Sequence, residues 1–262
     1  MEAATVINVK KPGGEKAINT NLNATHFVKF VDWFPYYQVI RSEFGYSTEK
    51  DQEAANVLSG MIKKKSLDTK VLAKKLKGKN VFVVGAGPSL DGSIKTLKKN
   101  SSAVKIAADG AVQALLENKI KPDIVVTDLD GSPAALQQAA KRGDIMVVNA
   151  HGDNMDMLKK LVPKFKKLIG TTQVMPLENV HNFGGFTDGD RCVFLAEEFG
   201  AKKIVLVGMD FTGASRYKEA KDPELKKRKM HEGRRLLEML AKQSRSQLFD
   251  TNKKPVKGFN SY

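Results

Sequence analysis

Five short apolar runs, each stopping at an acidic or glycine-rich turn, organise this chain. They read VFVVGAGPSL at 81–90, KIAADGA at 105–111, DIVVTDLDGS at 123–132, MVVNAHGDNMD at 146–156 and IVLVGMDF at 204–211. Runs rich in Val and Ile and bounded by turn residues suit strands buried on both faces of a parallel sheet. The pattern predicts strands at 80–85, 104–108, 123–127, 145–149, 167–170 and 203–208. Helices fill the gaps, including 133–142 and 188–199, and Gly200 is placed to end the latter.

The flanks are patterned differently. Residues 23–76 read as helical and aromatic-rich, with Thr48 capping a helix over 49–61 and Lys63, Lys64 and Lys65 suiting its end. Trp33, Phe34, Tyr36 and Tyr37 around Pro35 read as packing, the alternative being a wall for a flat heterocycle. Residues 1–20 read as a poorly ordered or edge segment. After Phe211, Asp222 is placed to cap a long basic helix over 223–244, with Pro223 in its first turn, packed across the sheet or on the N-terminal region. The expectation is an α/β, Rossmann-like fold: a mainly parallel sheet with flanking helices, plus a helical N-terminal region and a long C-terminal helix. Its divisions are 1–78, 79–215 and 216–262.

Length and composition narrow this reading. At 262 residues the chain holds one large α/β domain with appendages or two small ones. No uncharged stretch approaches the roughly 18 residues of a membrane span, and MEAATVINVKKPGGEK lacks an apolar signal core, so a cytoplasmic protein without a membrane partner is expected. Cys192 stands alone, which excludes an intrachain disulfide and a cysteine zinc site. The formal charge is +15, but residues 109–156 carry eight acidic against four basic side chains, a local −4. That acidic centre suits a divalent cation. The basic remainder suits capture of an anionic substrate or plain solubility, and a nucleic-acid partner is disfavoured.

Every conspicuous polar motif falls where a strand of an open α/β sheet would deliver it to the carboxyl edge, the place where ligands bind. Asp109, Asp128, Asp130, Asp153, Asp156 and Asp210 are expected to converge there with a glycine turn. Gly85, Gly87 and Ser89 lie between a strand and a helix, where missing side chains admit a phosphate. Asp128 and Asp130, two apart, face one rim if extended geometry persists past the strand. Like charges that close call for a cation, and Mg²⁺ is the natural hard partner; an Asx turn is the competing reading. His151, Asp153 and Asp156 form a second acidic turn, His151 touching substrate or supporting a neighbour. Asp188, Asp190 and Arg191 open a helix capped by Thr187 or Asp188; Arg191 is a phosphate contact or a structural ion pair. His26, His181 and His231 lack metal-ligand spacing. No G-x-S-x-G or H-E-x-x-H motif is present, and Asp109 lies where a dinucleotide-binding acid would, so a nicotinamide dehydrogenase competes but leaves Asp128 and Asp130 unexplained.

As a set, GAGPSL, AADGAV, KPDIVVTDLDGS, NAHGDNMD, NFGGFTDGDR and FPYYQVIRSEFGYS resemble the archaeal MptE-like 6-hydroxymethyl-7,8-dihydropterin diphosphokinases over most of residues 30–211. The ADGA and DLDGS turns are also similar to the thiamin pyrophosphokinase pattern, from which Thr127 and Gly131 depart. A related domain occurs in sugar-transferring motility accessory proteins, so a nucleotide-sugar transferase is a further alternative. The resemblance implies transfer of diphosphate from ATP to a reduced pterin with release of AMP, in tetrahydromethanopterin or folate-type cofactor biosynthesis. It implies Mg²⁺ on Asp109, Asp128 and Asp130, with Asp156 added to the catalytic set. Nucleotide would meet Gly85, Gly87, Ser89, Asp109 and Gly110; pterin would meet His151, Asp153, Asp188, Asp190 or Arg191. The partners implied are ATP and the pterin, and the resemblance is compatible with a homodimer.

Overall fold

The computed structural model describes residues 30–212 and 222–262, with side chains from residue 32 onward in the first span. The readings of residues 1–20 and of His26 lie outside these residues. In chain order the elements are α1 (Phe30–Phe44), α2 (Thr48–Ile62), α3 (Lys70–Leu76), β1 (Asn80–Val84), α4 (Leu90–Lys99), β2 (Val104–Ala108), α5 (Val112–Glu117), β3 (Ile124–Thr127) and α6 (Pro133–Lys141). There follow β4 (Ile145–Ala150), α7 (Met155–Leu161), β5 (Leu168–Thr172), β6 (Val180–His181), α8 (Asp188–Glu198), β7 (Lys203–Val207), α9 (Pro223–Ala241), β8 (Gln247–Asp250) and β9 (Asn260–Ser261).

One parallel sheet runs in the order β6-β5-β4-β3-β2-β1-β7-β8-β9. Its central strands are mostly apolar and, apart from the first residues of β1 and β7, buried, as suits strands covered on both faces. The six strands anticipated from the apolar runs are present. Three more were not anticipated, because β6, β8 and β9 are short and carry polar residues. The residues after α9 thus extend the sheet beside β7. The chain steps outward from β1 to β6 in one direction, then returns to β7 on the other side of β1. This reversal is a topological switch point, where the loops after β1 and β7 part and open a crevice.

Helix α8 crosses β1, β2, β3 and β7, and α2 crosses β4, β5 and β6. Ser47, not Thr48, caps α2, its hydroxyl accepting from the Lys50 N–H at 3.2 Å. Asp222 caps α9 as anticipated, accepting from the Leu225 N–H at 2.9 Å. α9 packs on α8 and is also tied to the N-terminal helices: the Arg228 guanidinium lies 5.2 Å from the Phe44 ring centre, and the Lys229 ammonium 5.4 Å from that of Tyr46. Trp33 and Tyr37 are buried, and the Trp33 ring meets Phe194 of α8 edge-on, so these two aromatics serve packing. Among the described residues no helix is long and apolar enough to cross a membrane.

Candidate functional site

Parallel strands end together, so the turns after β2 and β3 and the start of α8 meet at one rim. There Asp109, Asp128, Asp130 and Asp188 each place a carboxylate oxygen within 4.8 Å of the others. Asp109 is buried, Asp128 and Asp188 half-buried, and Asp130 exposed. The Asp109 Oδ2 atom accepts from the Thr127 hydroxyl at 2.5 Å and the Gly131 N–H at 3.1 Å. Its Oδ1 is buried without a hydrogen-bond partner. A buried carboxylate with an unpartnered oxygen, set among three further acids, is costly for the protein alone. Burial first, then the charges of Asp128 and Asp130, push the Asp109 carboxyl up from 3.8 to about 7, against the lowering effect of Thr127 and Gly131. A hard divalent cation would relieve both penalties, and these oxygen donors fit Mg²⁺.

The turn between the paired acids is not extended as the sequence suggested. Leu129 adopts a left-handed φ of 69°, is fully buried, and donates its N–H to the Thr127 hydroxyl at 2.8 Å. The Asp130 N–H donates to Asp128 Oδ1 at 3.2 Å, an Asx-type contact that coexists with the cluster. Thus a folded turn, not strand alternation, brings both carboxylates to the rim.

The glycine turn adjoins this cluster, since a Cβ on Gly110 would stand 3.1 Å from that of Ala86. The Gly85 and Gly87 N–H groups donate to the Val207 and Gly208 carbonyls, and the Ser89 N–H and hydroxyl both donate to Asp210 Oδ2, at 3.0 and 2.8 Å. Glycine is required here because a Cβ on Gly87 would lie 2.0 Å from Asp210 Oδ2 and one on Gly85 2.6 Å from the Gly208 carbonyl oxygen. Asp210 therefore shapes the glycine turn and stands apart from the acid cluster.

The remaining acids divide. Asp153 and Asp156 are exposed on the next turn and in the first turn of α7, outside the four-acid cluster. His151 Nε2 lies 3.6 Å from Asp128 Oδ2, while its Nδ1 accepts from the Asp153 N–H at 3.3 Å. Asp190 is fully buried, accepting from the Phe186 N–H at 2.6 Å and the Thr187 N–H at 2.8 Å, and so fixes the loop that delivers Asp188. Burial raises its carboxyl. Arg191 is also buried; Nη2 donates to Gln173 Oε1 at 3.1 Å and Nε to the Phe186 carbonyl at 3.3 Å. It backs the acid cluster from inside instead of lining the rim. Arg191→Met is expected to destabilise the fold by about 2 to 4 kcal/mol, read by thermal melting, because it strands buried partners. An unchanged melting point with weakened ATP binding would restore a phosphate-contact role.

Two supports of the site lie outside the candidate residues anticipated from sequence. Asp51 of α2, 2% exposed, accepts from the Gly152 N–H at 2.8 Å, the Tyr37 hydroxyl at 2.9 Å and the Gln173 amide at 2.7 Å. Asn154 Nδ2 donates to the Asp128 carbonyl at 2.7 Å and to that of Asn149 at 2.8 Å. Together they pin the turn that sets His151 against Asp128. Asp51 reads locally as an ordinary acid in a helix's first turn, so nothing in its neighbourhood signals the role. Asn154 lies within a motif that does.

The protein-family model described as 6-hydroxymethylpterin diphosphokinase MptE-like matches residues 56–215. A 6-hydroxymethyl-7,8-dihydropterin pyrophosphokinase of Pyrococcus furiosus is 45% identical over 235 residues, covering 85% of this chain and 99% of that protein. Proteins of the same name from Methanocaldococcus jannaschii and Methanothermobacter thermautotrophicus are 45% and 42% identical over 190 and 180 residues, spanning 69% and 68% of this chain and 79% and 77% of theirs. Among solved structures, the MAf glycosyltransferase from Magnetospirillum magneticum AMB-1 superposes with a TM-score of 0.54 at 17% identity, over 88% of this chain and 41% of that one. At that identity the likeness concerns the fold.

Proposed function

The chain belongs to the MptE-like 6-hydroxymethylpterin diphosphokinase family, and from that premise we propose that it transfers the terminal diphosphate of ATP, with Mg²⁺, to 6-hydroxymethyl-7,8-dihydropterin. The hydroxymethyl oxygen attacks the β-phosphorus in line. A new O–P bond forms, the bond from β-phosphorus to the α,β-bridging oxygen breaks, AMP leaves with that oxygen, and the hydroxyl proton is released. The product belongs to a tetrahydromethanopterin or folate-type cofactor pathway. Such a reaction asks the protein for alignment and charge neutralisation more than covalent chemistry.

The observation that carries this reading is the four-carboxylate cluster with its orphaned Asp109 oxygen beside a glycine turn at the switch point. Asp109, Asp128, Asp130 and Asp188 are the residues that would hold Mg²⁺, which when bound neutralises polyphosphate charge. Nucleotide is assigned to the turn of Gly85, Gly87, Ser89 and Gly110 beside the acids, where it would meet the outer surface of the turn, since the Gly85, Gly87 and Ser89 N–H groups already donate to Val207, Gly208 and Asp210. Asp128 keeps its orientation through His151 and the loop held by Asn154 and Asp51. Asp190 holds the Phe186–Thr187 turn from which Asp188 projects.

The test is incubation of purified protein with ATP, Mg²⁺ and either the pterin or thiamin, followed by chromatography of AMP and the diphosphorylated product. Pterin-dependent AMP is expected; AMP with thiamin alone would change the substrate, and none with either would remove the reading. Asp128→Asn is expected to lower turnover at least about tenfold with the thermal transition nearly unchanged, since a half-buried carboxylate is exchanged for an isosteric amide. Equal activity would remove Asp128 from the metal site.

A further inference from the structure

Residues 208–210, which follow β7, hold the base of the glycine turn, each by a different group. The Gly208 carbonyl accepts from the Gly87 N–H at 2.8 Å, and Asp210 Oδ2 accepts from the Ser89 N–H and hydroxyl. Met209 holds the turn by contact: a Cβ on Gly85 would stand 2.7 Å from Met209 Sδ. The same thioether also meets α8, where a Cβ on Gly189 would stand 2.8 Å from Cε and 3.0 Å from Sδ. Gly189 directly follows Asp188, the acid that α8 delivers to the cluster. At 6% exposure the Met209 side chain has little room to swing away. Its backbone is fixed as well, the carbonyl accepting from Asn252 Nδ2 at 3.0 Å.

The four acids are not held alike. Asp109, Asp128 and Asp130 stand on two strand-end turns tied to each other, since Asp109 accepts from both Thr127 and Gly131 and the Thr127 hydroxyl accepts from Leu129. Asp188 comes from a separate element, so its distance from the others depends on how the start of α8 is seated. Asp190 fixes the loop into that start, and Met209 fills the space between it and the glycine turn. Methionine is usually an adaptable filler because its torsions are soft. Here two glycine backbones bound it, so its length sets a spacing. A close-packed interior passes a displacement on instead of absorbing it.

We propose that Met209 is a positioning residue whose thioether spaces Asp188 from the glycine turn, so that one cation can meet both the polyphosphate and all four acids; the inference rests on the diphosphokinase reading. The test is a compensating pair in the full chain. Met209→Leu keeps the side-chain volume but lacks the Cε that meets Gly189, and Gly189→Ala adds a methyl at that same place. Two quantities are read: pterin-dependent AMP formation, and the Mg²⁺ concentration that half-completes the rise in melting point. Gly189→Ala is expected to lower turnover about tenfold and to raise that Mg²⁺ concentration at least about fivefold, with the metal-free melting point nearly unchanged because alanine suits a helix. Met209→Leu alone is expected to lower turnover about threefold. The double variant is expected to return both quantities to within about threefold of the wild type, a recovery that independent sites would not give. Losses that multiply in the double variant, a Gly189→Ala chain with wild-type turnover and Mg²⁺ response, or losses that follow the metal-free melting point and not the Mg²⁺ response, overturn the positioning role and leave the diphosphokinase reading intact. A wild-type chain that forms no pterin-dependent AMP overturns that reading itself.

Discussion

Asp109→Asn is expected to remove diphosphate transfer by a factor on the order of a thousand or more while raising the melting temperature of the metal-free protein near neutral pH. The loss follows from taking away the one cluster oxygen that is buried and unpartnered. The gain follows from the same burial. Asn keeps an acceptor for Thr127 and Gly131 and removes a charge facing Asp128 and Asp130. The Asp109 carboxyl is raised from 3.8 to about 7, so the folded chain binds its proton more tightly than the unfolded chain does. For an acid raised on folding, the penalty is absent below its unfolded value, grows as pH climbs from about 4 to about 7, and is complete above that. The advantage of the variant is therefore expected to be greatest above pH 7 and to shrink as pH falls. Mg²⁺ is expected to raise the melting point of the wild type by mass action and to leave the variant nearly unmoved. Thermal melts at several pH values, with and without Mg²⁺, read both effects. An advantage independent of pH, or equal stabilisation of both proteins by Mg²⁺, would sink the assignment.

Gly131→Ala should be nearly as damaging without altering any charge. A Cβ on Gly131 would stand 1.6 Å from Asp109 Oδ1, so the carboxylate must leave the position from which it faces the other acids. Turnover is expected to fall at least about a hundredfold, given how steeply metal-assisted transfer depends on placement. Stabilisation by Mg²⁺ should disappear with it. Gly92→Ala is the control: Gly92 lies within α4, nothing stands within 4 Å of its Cβ position, and alanine favours a helix interior by up to about 1 kcal/mol. It should retain full activity and Mg²⁺ response. Parallel behaviour of the two variants would show that the close approach of Gly131 to Asp109 is without consequence.

Much of the architecture was legible because its signals are local. A strand buried on both faces is apolar along most of its length, and the six strands anticipated on that ground became β1 to β5 and β7. Caps announce themselves by side chains that bond within one turn, as Asp222 does, although Ser47 and Thr48 are chemically close enough for the boundary to shift by one residue. Strands β6, β8 and β9 gave no such signal, because short polar segments become strands only when an exposed edge offers them partners.

The site divides in the same way. That acids gather at the carboxyl edge follows from parallel strands ending in aspartates, and Asp109, Asp128 and Asp130 are recoverable from sequence on that ground alone. Which further acids join them is a matter of where helices start. Asp188 reaches the cluster because α8 begins over the ends of β2 and β3, whereas Asp190, two residues on, turns inward to hold the loop. Asp51 supports the His151 turn across 101 residues of separation. Sequence determined which residue types arrive at the strand ends, because that depends on short-range periodicity. Tertiary structure decided which of those charges face one another and which are buried, because desolvation and Coulomb repulsion act through space and are set by distances that no local pattern encodes.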